Sequence, residues 1–238
     1  MCLADVQSSN VVGYETLNLL ANDYTMFGMN FEAGDGGSVT LKDLKGNFFG
    51  GPTMAEGDNI LLWKEDGYHY YYYGVWGDPD YPEWDNVWYD DDDNDASDIE
   101  IGAGRACWYL RMDGAPAALT ISGAVKLTPT TVTLLANDYT MFSNPYPSAI
   151  ALKDLKVTNP FCGPTMAEGD NILIWLADGY HYYYFGYWGD PDYPEWDNVW
   201  YDDGDNDASD VTIVPGAACW YLRMSDATTM SFTSPLAK

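Results

Sequence analysis

Positively charged side chains are scarce in this sequence. Its 238 residues include 10 Lys and Arg against 37 Asp and Glu, which gives a formal net charge of -27. Such a surface repels nucleic-acid phosphate and anionic lipid. No apolar run approaches the roughly 18 residues that a membrane-spanning helix needs. We therefore expect neither nucleic-acid binding nor membrane insertion, and we expect divalent cations or extracellular salt to offset the self-repulsion.

Sequence motifs for catalysis are also missing. There is no Gly-x-Ser-x-Gly nucleophile motif, no phosphate-binding glycine loop and no Cys/His zinc spacing. The two histidines, His69 and His181, occupy one repeated position flanked by tyrosines, which favours strand residues over general bases. Asp and Glu are so abundant that a glycosidase pair cannot be chosen without geometry. The sequence therefore predicts that the protein is not an enzyme.

The chain consists of one module written twice. LLANDYTMF occurs at 19–27 and 134–142, and WGDPDYPEWDNVWYDD occurs at 76–91 and 188–203. Equivalent positions in the later two thirds of each repeat are 112 residues apart. We predict an N-terminal extension at 1–10, a first domain at 11–123 and a second at 124–238. The short linker between the domains should hold them side by side.

Within each repeat the pattern is typical of β-structure. A short apolar run is followed by Asp-Gly, at 66–67 and at 178–179, and then by a tyrosine-rich run, which is a hairpin signature. Turn residues recur about every 8 to 12 positions, and the one helical signal is the short LKDL segment at 41–44 and 152–155. The sequence predicts an all-β protein with two tandem homologous domains. Each domain is expected to be a β-sandwich or a barrel-like fold.

An acidic segment in each repeat is a candidate calcium site. Alternating aspartates can converge on one hard cation when a loop curls, because calcium takes six to eight oxygen ligands. The alternative is a solvated acidic loop. The candidate ligands are Asp91, Asp93, Asp95, Asp98, Asp203, Asp205, Asp207 and Asp210.

Aromatic side chains occupy both faces of the tyrosine-rich strand, since successive side chains alternate. One face can pack into a core, and the aromatic side chains of the other face need a second surface to pack against. Sugar rings and another protein are both suitable partners, because flat aromatic groups dominate such contacts; a second core layer is the alternative. The candidate interface or ligand residues are Tyr71, Tyr73, Trp76, Trp84, Tyr183, Trp188 and Trp196.

The four cysteines divide unequally between the repeats. Cys107 and Cys219 are equivalent, whereas Cys2 and Cys162 have no counterpart. The simplest oxidised arrangement pairs Cys162 with Cys219 and Cys2 with Cys107, although Cys2 could also bond to a neighbouring molecule. The alternative is four buried thiols.

A further set of motifs lies in the second repeat: Asn144-Pro145-Tyr146-Pro147, Trp175, Asp178-Gly179-Tyr180, and Pro215-Gly216 followed by Cys219-Trp220. In these motifs the chain resembles a β-rich module of secreted and cell-surface proteins of environmental bacteria. The first repeat departs from the pattern at 28–39. The resemblance implies an extracellular or cell-surface location, with a signal peptide already removed, and a structural or adhesive role.

Two functions are compatible with these patterns. The first is a secreted structural protein that binds copies of itself and assembles into a filament, tube or surface lattice. Repeat one contacts repeat two within the chain. If repeat two of one chain made a similar contact with repeat one of the next chain, the chains would join head to tail into an open array. The alternative is an adhesive module that binds carbohydrate through its Tyr- and Trp-rich strands.

Overall fold

The computed structural model describes residues 11–176 and 178–236, and the predicted all-β fold is confirmed. The first half contains these strands: β1 (Val12–Leu19), β2 (Tyr24–Gly28), β3 (Phe31–Glu32), β4 (Val39–Thr40), β5 (Lys45–Gly46), β6 (Asn59–Lys64), β7 (Gly67–Gly74), β8 (Val87–Asp90), β9 (Glu100–Ile101), β10 (Ala106–Leu110) and β11 (Ala117–Val125). Its 3-10 turns are Leu41–Asp43 and Pro82–Trp84.

The second half repeats this order with one short strand fewer among the described residues. Its strands are β12 (Thr130–Leu134), β13 (Tyr139–Ser143), β14 (Ile150–Ala151), β15 (Lys156–Val157), β16 (Asn171–Leu176), β17 (Gly179–Gly186), β18 (Val199–Asp202), β19 (Thr212–Ile213), β20 (Ala218–Leu222) and β21 (Thr228–Phe232). Its 3-10 turns are Leu152–Asp154 and Pro194–Trp196.

Each half is built as a sandwich of a large and a small antiparallel sheet. The large sheets have the strand orders β2-β10-β6-β7-β8 and β13-β20-β16-β17-β18. The small sheets are β1-β11-β3, with β5 also on β11, and β12-β21-β15. The first core contains Phe27 and Ile60 from the large sheet and Leu119 and Ile121 from the small one. Burial of apolar surface between the two layers is the main stabilising contribution in each half.

The connection between the halves lies later than the sequence suggested. Ala124 and Val125 pair with Glu32 and Phe31 of β3, so they belong to the first half. The predicted boundary after residue 123 therefore falls inside β11. The strand bounds leave 126–129 as the connecting segment, while the division into two domains stays a prediction.

The tyrosine-rich hairpins form as predicted, and cross-strand pairing decides which face is inward. In the first hairpin, Tyr71 lies opposite Ile60, and both side chains belong to the first core. In the second, Tyr183 lies opposite Ile172, within the second core. The assignment of Tyr71 and Tyr183 to an interface or ligand surface is therefore corrected. Tyr73 also packs against the first core, partly buried.

The opposite face of these hairpins joins the two halves. A third apolar cluster contains Met26 and Ala106 from the first half and Met141, Leu173, Ala218 and Trp220 from the second, flanked by Trp63, Tyr68, Trp108, Trp175 and Tyr180. The outer faces of the two large sheets thus cover one another. Part of the aromatic face, including Tyr68 and Tyr180, is therefore covered within the same chain, while Tyr70 and Tyr182 on that face stay exposed.

Contacts across this junction are reciprocal. The rings of Trp63 and Trp220 are 5.3 Å apart, and those of the equivalent residues Trp175 and Trp108 are 5.1 Å apart. The backbone N–H of Gly28 donates to the Gly216 carbonyl at 2.9 Å, and the equivalent N–H of Ser143 donates to the Gly104 carbonyl at 2.8 Å. Each half uses the same patch toward the other, so the contact is isologous and closes on itself.

Cys107 and Cys219 are free thiols at equivalent inward positions of β10 and β20, and Cys162 is free and half-buried. The predicted Cys162–Cys219 disulfide is not formed. The reason is that Cys219 lies on a strand between β13 and β16, opposite Phe142 and Ile174, inside the second core. Burial raises the pKa of the Cys107 and Cys219 thiols. Cys2, the proposed partner of Cys107, lies outside the described residues.

Tyrosine burial predicts a steep loss of stability in alkali. The pKa of Tyr109 and Tyr221 is raised, first by burial and then by the neighbouring carboxylates of Asp58 and Asp170. The unfolded chain ionises its tyrosines near pH 10, about the ordinary pKa, whereas the folded chain holds these two neutral. The contribution of these two tyrosines to stability should therefore be fully present below about pH 10 and be lost as the pH rises further. Urea midpoints across this range, with tyrosinate absorbance followed in parallel, provide the test; complete tyrosine ionisation in a still-folded protein would contradict it.

Candidate functional site

Two exposed loops each contain three exposed aromatic side chains. We call them the aromatic loops; they comprise residues 76–86, between β7 and β8, and residues 188–198, between β17 and β18. Each includes a 3-10 turn that starts at a proline, Pro82 or Pro194. Proline suits this position because its fixed φ matches the turn and its missing N–H would have no partner there.

A pair of stacked rings lies on each aromatic loop. Tyr81 and Trp84 lie 4.3 Å apart with an interplanar angle of 8°, and Tyr193 and Trp196 lie 4.2 Å apart at 7°. The spacing of three residues across the 3-10 turn brings the rings together. Trp84 and Trp196 are each 43% exposed. Exposed aromatic rings that lie together as one contiguous surface are candidates for a binding site.

Hydrogen bonds hold the aromatic loops in one conformation. One carboxylate oxygen of Asp197 accepts from the backbone N–H groups of Trp188 at 2.8 Å and Gly189 at 2.9 Å. The Tyr201 hydroxyl donates to the Trp196 carbonyl at 2.8 Å. Asp85 and Tyr89 make the corresponding bonds in the first half. A ligand that docks here loses less affinity to ordering the loop, because the loop is already fixed.

A cleft of about 600 Å³ opens beside the second aromatic loop. Its lining combines three aromatic rings with three carboxylates: Trp188, Trp196, Tyr201, Glu195, Asp205 and Asp207, together with Val199. The first half has the same residue types at all seven equivalent positions, namely Trp76, Trp84, Tyr89, Glu83, Asp93, Asp95 and Val87. Clefts of this size, with apolar walls and a few polar groups, are typical of small-ligand sites.

Four predicted aromatic residues therefore lie at this candidate site: Trp76, Trp84, Trp188 and Trp196. The sequence reasoning did not include the stacking partners Tyr81 and Tyr193. Their signal was present in the Tyr-Pro-Glu-Trp segments, because proline at the start of a short helical turn places the flanking aromatic residues on one side.

The candidate calcium ligands make separate local contacts. Asp93 accepts from the Tyr72 hydroxyl at 2.6 Å, Asp95 accepts from the Ser97 backbone N–H, and Asp98 pairs with Lys42. Asp205, Asp207 and Asp210 bond to Tyr184, Ser209 and Lys153 in the same way. Asp91 and Asp203 are exposed on the same loops. Within the described residues, no three acidic, histidine or cysteine side chains are placed to share a metal ion.

Calcium binding stays a prediction, and it can be separated from simple screening. Sodium chloride should raise the thermal midpoint, because the net charge of -27 makes the folded chain repel itself. A specific calcium site would add to this effect, so calcium chloride at equal ionic strength should raise the midpoint further. Scanning calorimetry in the two salts measures the difference. Equal midpoints would contradict calcium binding, and a midpoint insensitive to salt would contradict the repulsion.

Comparison with known proteins adds no further constraint: no family model, no curated protein and no solved structure matches this chain. In the described part of the chain, no helix combines the length and the hydrophobicity required to cross a bilayer.

Proposed function

We propose that this protein is an extracellular adhesive module that binds carbohydrate at its two aromatic loops. The observation that carries the proposal is the exposed Tyr–Trp stack, which is present in both halves. In the second half it lies beside a cleft of rings and carboxylates, and the first half has the same residue types at the equivalent positions. Binding rather than catalysis is the proposed activity.

The chemistry of the cleft suits a sugar ring. A pyranose has an apolar face of C–H groups, which stacks on a flat aromatic ring, and a rim of hydroxyl groups, which donate to carboxylates. In the second half, Trp188 and Trp196 supply the rings. The Glu195 carboxylate also lines the cleft and can accept hydrogen bonds from the sugar hydroxyls. Both requirements are therefore met by adjacent side chains.

Two equivalent sites in one chain favour adhesion. The isologous junction fixes the halves against each other through the Trp63–Trp220 and Trp108–Trp175 contacts. When both sites engage one polymer or surface, the second binding event is intramolecular, and the overall affinity rises without any new contact. A polymeric glycan should therefore bind much more tightly than a short oligosaccharide.

Self-assembly into a filament, tube or lattice is the second candidate. The isologous junction occupies the aromatic faces, so an open array needs a different surface. The edge strand β1 offers one, because in the described part of the chain it pairs only with β11 and exposes 74% of Val12 and 78% of Tyr14. Exposed apolar edge strands accept further strands. Light scattering and electron microscopy test this candidate; a monomer at high concentration, with and without calcium, would contradict it.

Titration with neutral hexasaccharides of glucose, N-acetylglucosamine, mannose and xylose tests carbohydrate binding. We expect at least one to change tryptophan fluorescence saturably. The double variant Trp84→Ala/Trp196→Ala should weaken that binding by at least about tenfold, because each site loses its main stacking ring.

A matched control is Tyr14→Ala, which removes an exposed aromatic ring outside the aromatic loops. This variant should bind like the wild type. The proposed function would be overturned by equal loss in the control, or by no saturable response to any of the four neutral sugars or to a glucosamine hexasaccharide.

A further inference from the structure

The negative charge of the cleft lining indicates which class of sugar would bind there. This inference rests on the proposed function. The second cleft contains the carboxylates of Glu195, Asp205 and Asp207, and its lining includes no Lys, Arg or His. The first half has Glu83, Asp93 and Asp95 at the equivalent positions. Neutral sugars need hydrogen-bond acceptors, but they do not need three negative charges around one set of rings.

The carboxylates are not neutralised by neighbouring cations. Of the nine Lys and Arg residues that the structure describes, five form ion pairs, and their partners are Glu32, Asp58, Asp98, Asp113, Asp170 and Asp210. None of these partners lines the cleft. Asp205 and Asp207 instead accept neutral donors, the Tyr184 hydroxyl and the Ser209 backbone N–H. Such bonds orient a carboxylate while leaving its charge in place.

The aromatic rings of the cleft also favour a positively charged ligand group. A cation within about 6 Å of an indole or phenol face is attracted by the ring quadrupole, and Trp188, Trp196 and Tyr201 form the other walls. The pKa of Tyr201 is raised, first by burial and next by the charge of Asp207. The net charge of -27 also draws cations toward the whole chain.

We infer that the two clefts select amino sugars, in which a protonated amine projects from a stackable pyranose ring, over neutral sugars. The ring would stack on the tryptophans, and the ammonium group would pair with a carboxylate of the cleft lining. A polymer of glucosamine presents this combination at every residue.

Calorimetric titration with three β-1,4-linked hexasaccharides of equal length tests the inference. The probes are those of glucosamine, N-acetylglucosamine and glucose, at a pH where the amine is protonated. We expect the glucosamine probe to bind at least about tenfold more tightly than either neutral probe, since ion pairing and cation–π attraction both favour it. Added salt should reduce this preference.

Two variants locate the source of the preference. Glu83→Gln/Glu195→Gln removes one carboxylate charge from each aromatic loop while preserving side-chain size, and it should weaken the glucosamine probe more than the neutral probes, so that the preference falls severalfold. The matched control, Asp91→Asn/Asp203→Asn, removes the same number of charges from exposed positions outside the cleft lining and should leave the preference unchanged. If Asp93→Asn/Asp205→Asn folds normally, it should act like the glutamate variant.

The outcomes separate the two proposals. Equal affinity for all three probes would overturn amino-sugar selection while leaving carbohydrate binding intact. A preference reduced as much in the control as in the glutamate variant would also overturn it, because the preference would then reflect the overall charge of the chain. Absence of binding to every probe would contradict the proposed function itself.

Discussion

Replacing Asp58 with asparagine is expected to destabilise the protein by about 3–5 kcal/mol, the usual cost of leaving one partner of a buried ion pair unpaired. Asp58 is fully buried. Its carboxylate accepts from the Arg111 guanidinium at 2.6 Å, the Tyr109 hydroxyl at 2.5 Å and two backbone N–H groups. The substitution removes the buried counterion of Arg111 and leaves it only the partly exposed carboxylate of Asp113 at 2.9 Å. Urea denaturation measures the loss.

The second half provides an internal replicate of this experiment. Asp170 bonds to Arg223 and Tyr221 at 2.5 and 2.7 Å, so Asp170→Asn should have a similar cost. The exposed Asp91→Asn variant serves as the control and should change stability by less than about 0.5 kcal/mol. A loss below about 1 kcal/mol in both buried variants would show that these ion pairs do not organise the two cores.

Trp220→Ala is expected to cost about 3–5 kcal/mol, the range for truncating a large buried aromatic residue, and to uncouple the two halves. Trp220 is 8% exposed, and its ring contacts Trp63, Tyr68 and Tyr139. The contacts with Trp63 and Tyr68 cross the isologous junction, whereas Tyr139 belongs to the same half as Trp220. Trp220 lies in the junction cluster and in neither core, so its truncation weakens the junction and leaves each core in place. Calorimetry should therefore show two transitions in the variant where the wild type shows one.

Trp196→Ala is the matched control for this prediction, because it removes an equally large ring that is exposed on an aromatic loop. It should leave the thermal midpoint nearly unchanged. A single, unshifted transition in Trp220→Ala would contradict the view that the two halves stabilise each other.

The hairpins could be predicted from sequence because their signals are local. Asp-Gly followed by a tyrosine-rich run determines both the turn and the pairing of β6 with β7. The inward face could not be predicted, since Tyr71 and Tyr72 lie on opposite faces and both are aromatic. Their roles depend on the strand alongside and on Asp93, which bonds to the Tyr72 hydroxyl. These contacts are distant in sequence.

The isologous junction and the free thiols could not be predicted from sequence either, because both depend on contacts between residues that are distant in sequence. Repetition revealed that Trp108 and Trp220 are equivalent, but only the arrangement of the sheets shows that each faces the other half. The free thiol of Cys219 follows from its inward position on β20, which a count of cysteines does not reveal. The aromatic loops could be predicted in part. Their tryptophans were among the predicted interface or ligand residues, whereas the stacked tyrosines could be identified only from the geometry of the 3-10 turn.

Calorimetric stoichiometry tests the central claim, two carbohydrate sites per chain, most directly. With a neutral hexasaccharide that the wild type binds, we expect two equivalents per chain at the wild-type affinity, and one at that affinity for either Trp84→Ala or Trp196→Ala, whose altered site binds at least about tenfold more weakly. The double variant should retain no site of wild-type affinity. Absence of binding in the wild type, or a stoichiometry that neither substitution changes, would contradict the claim.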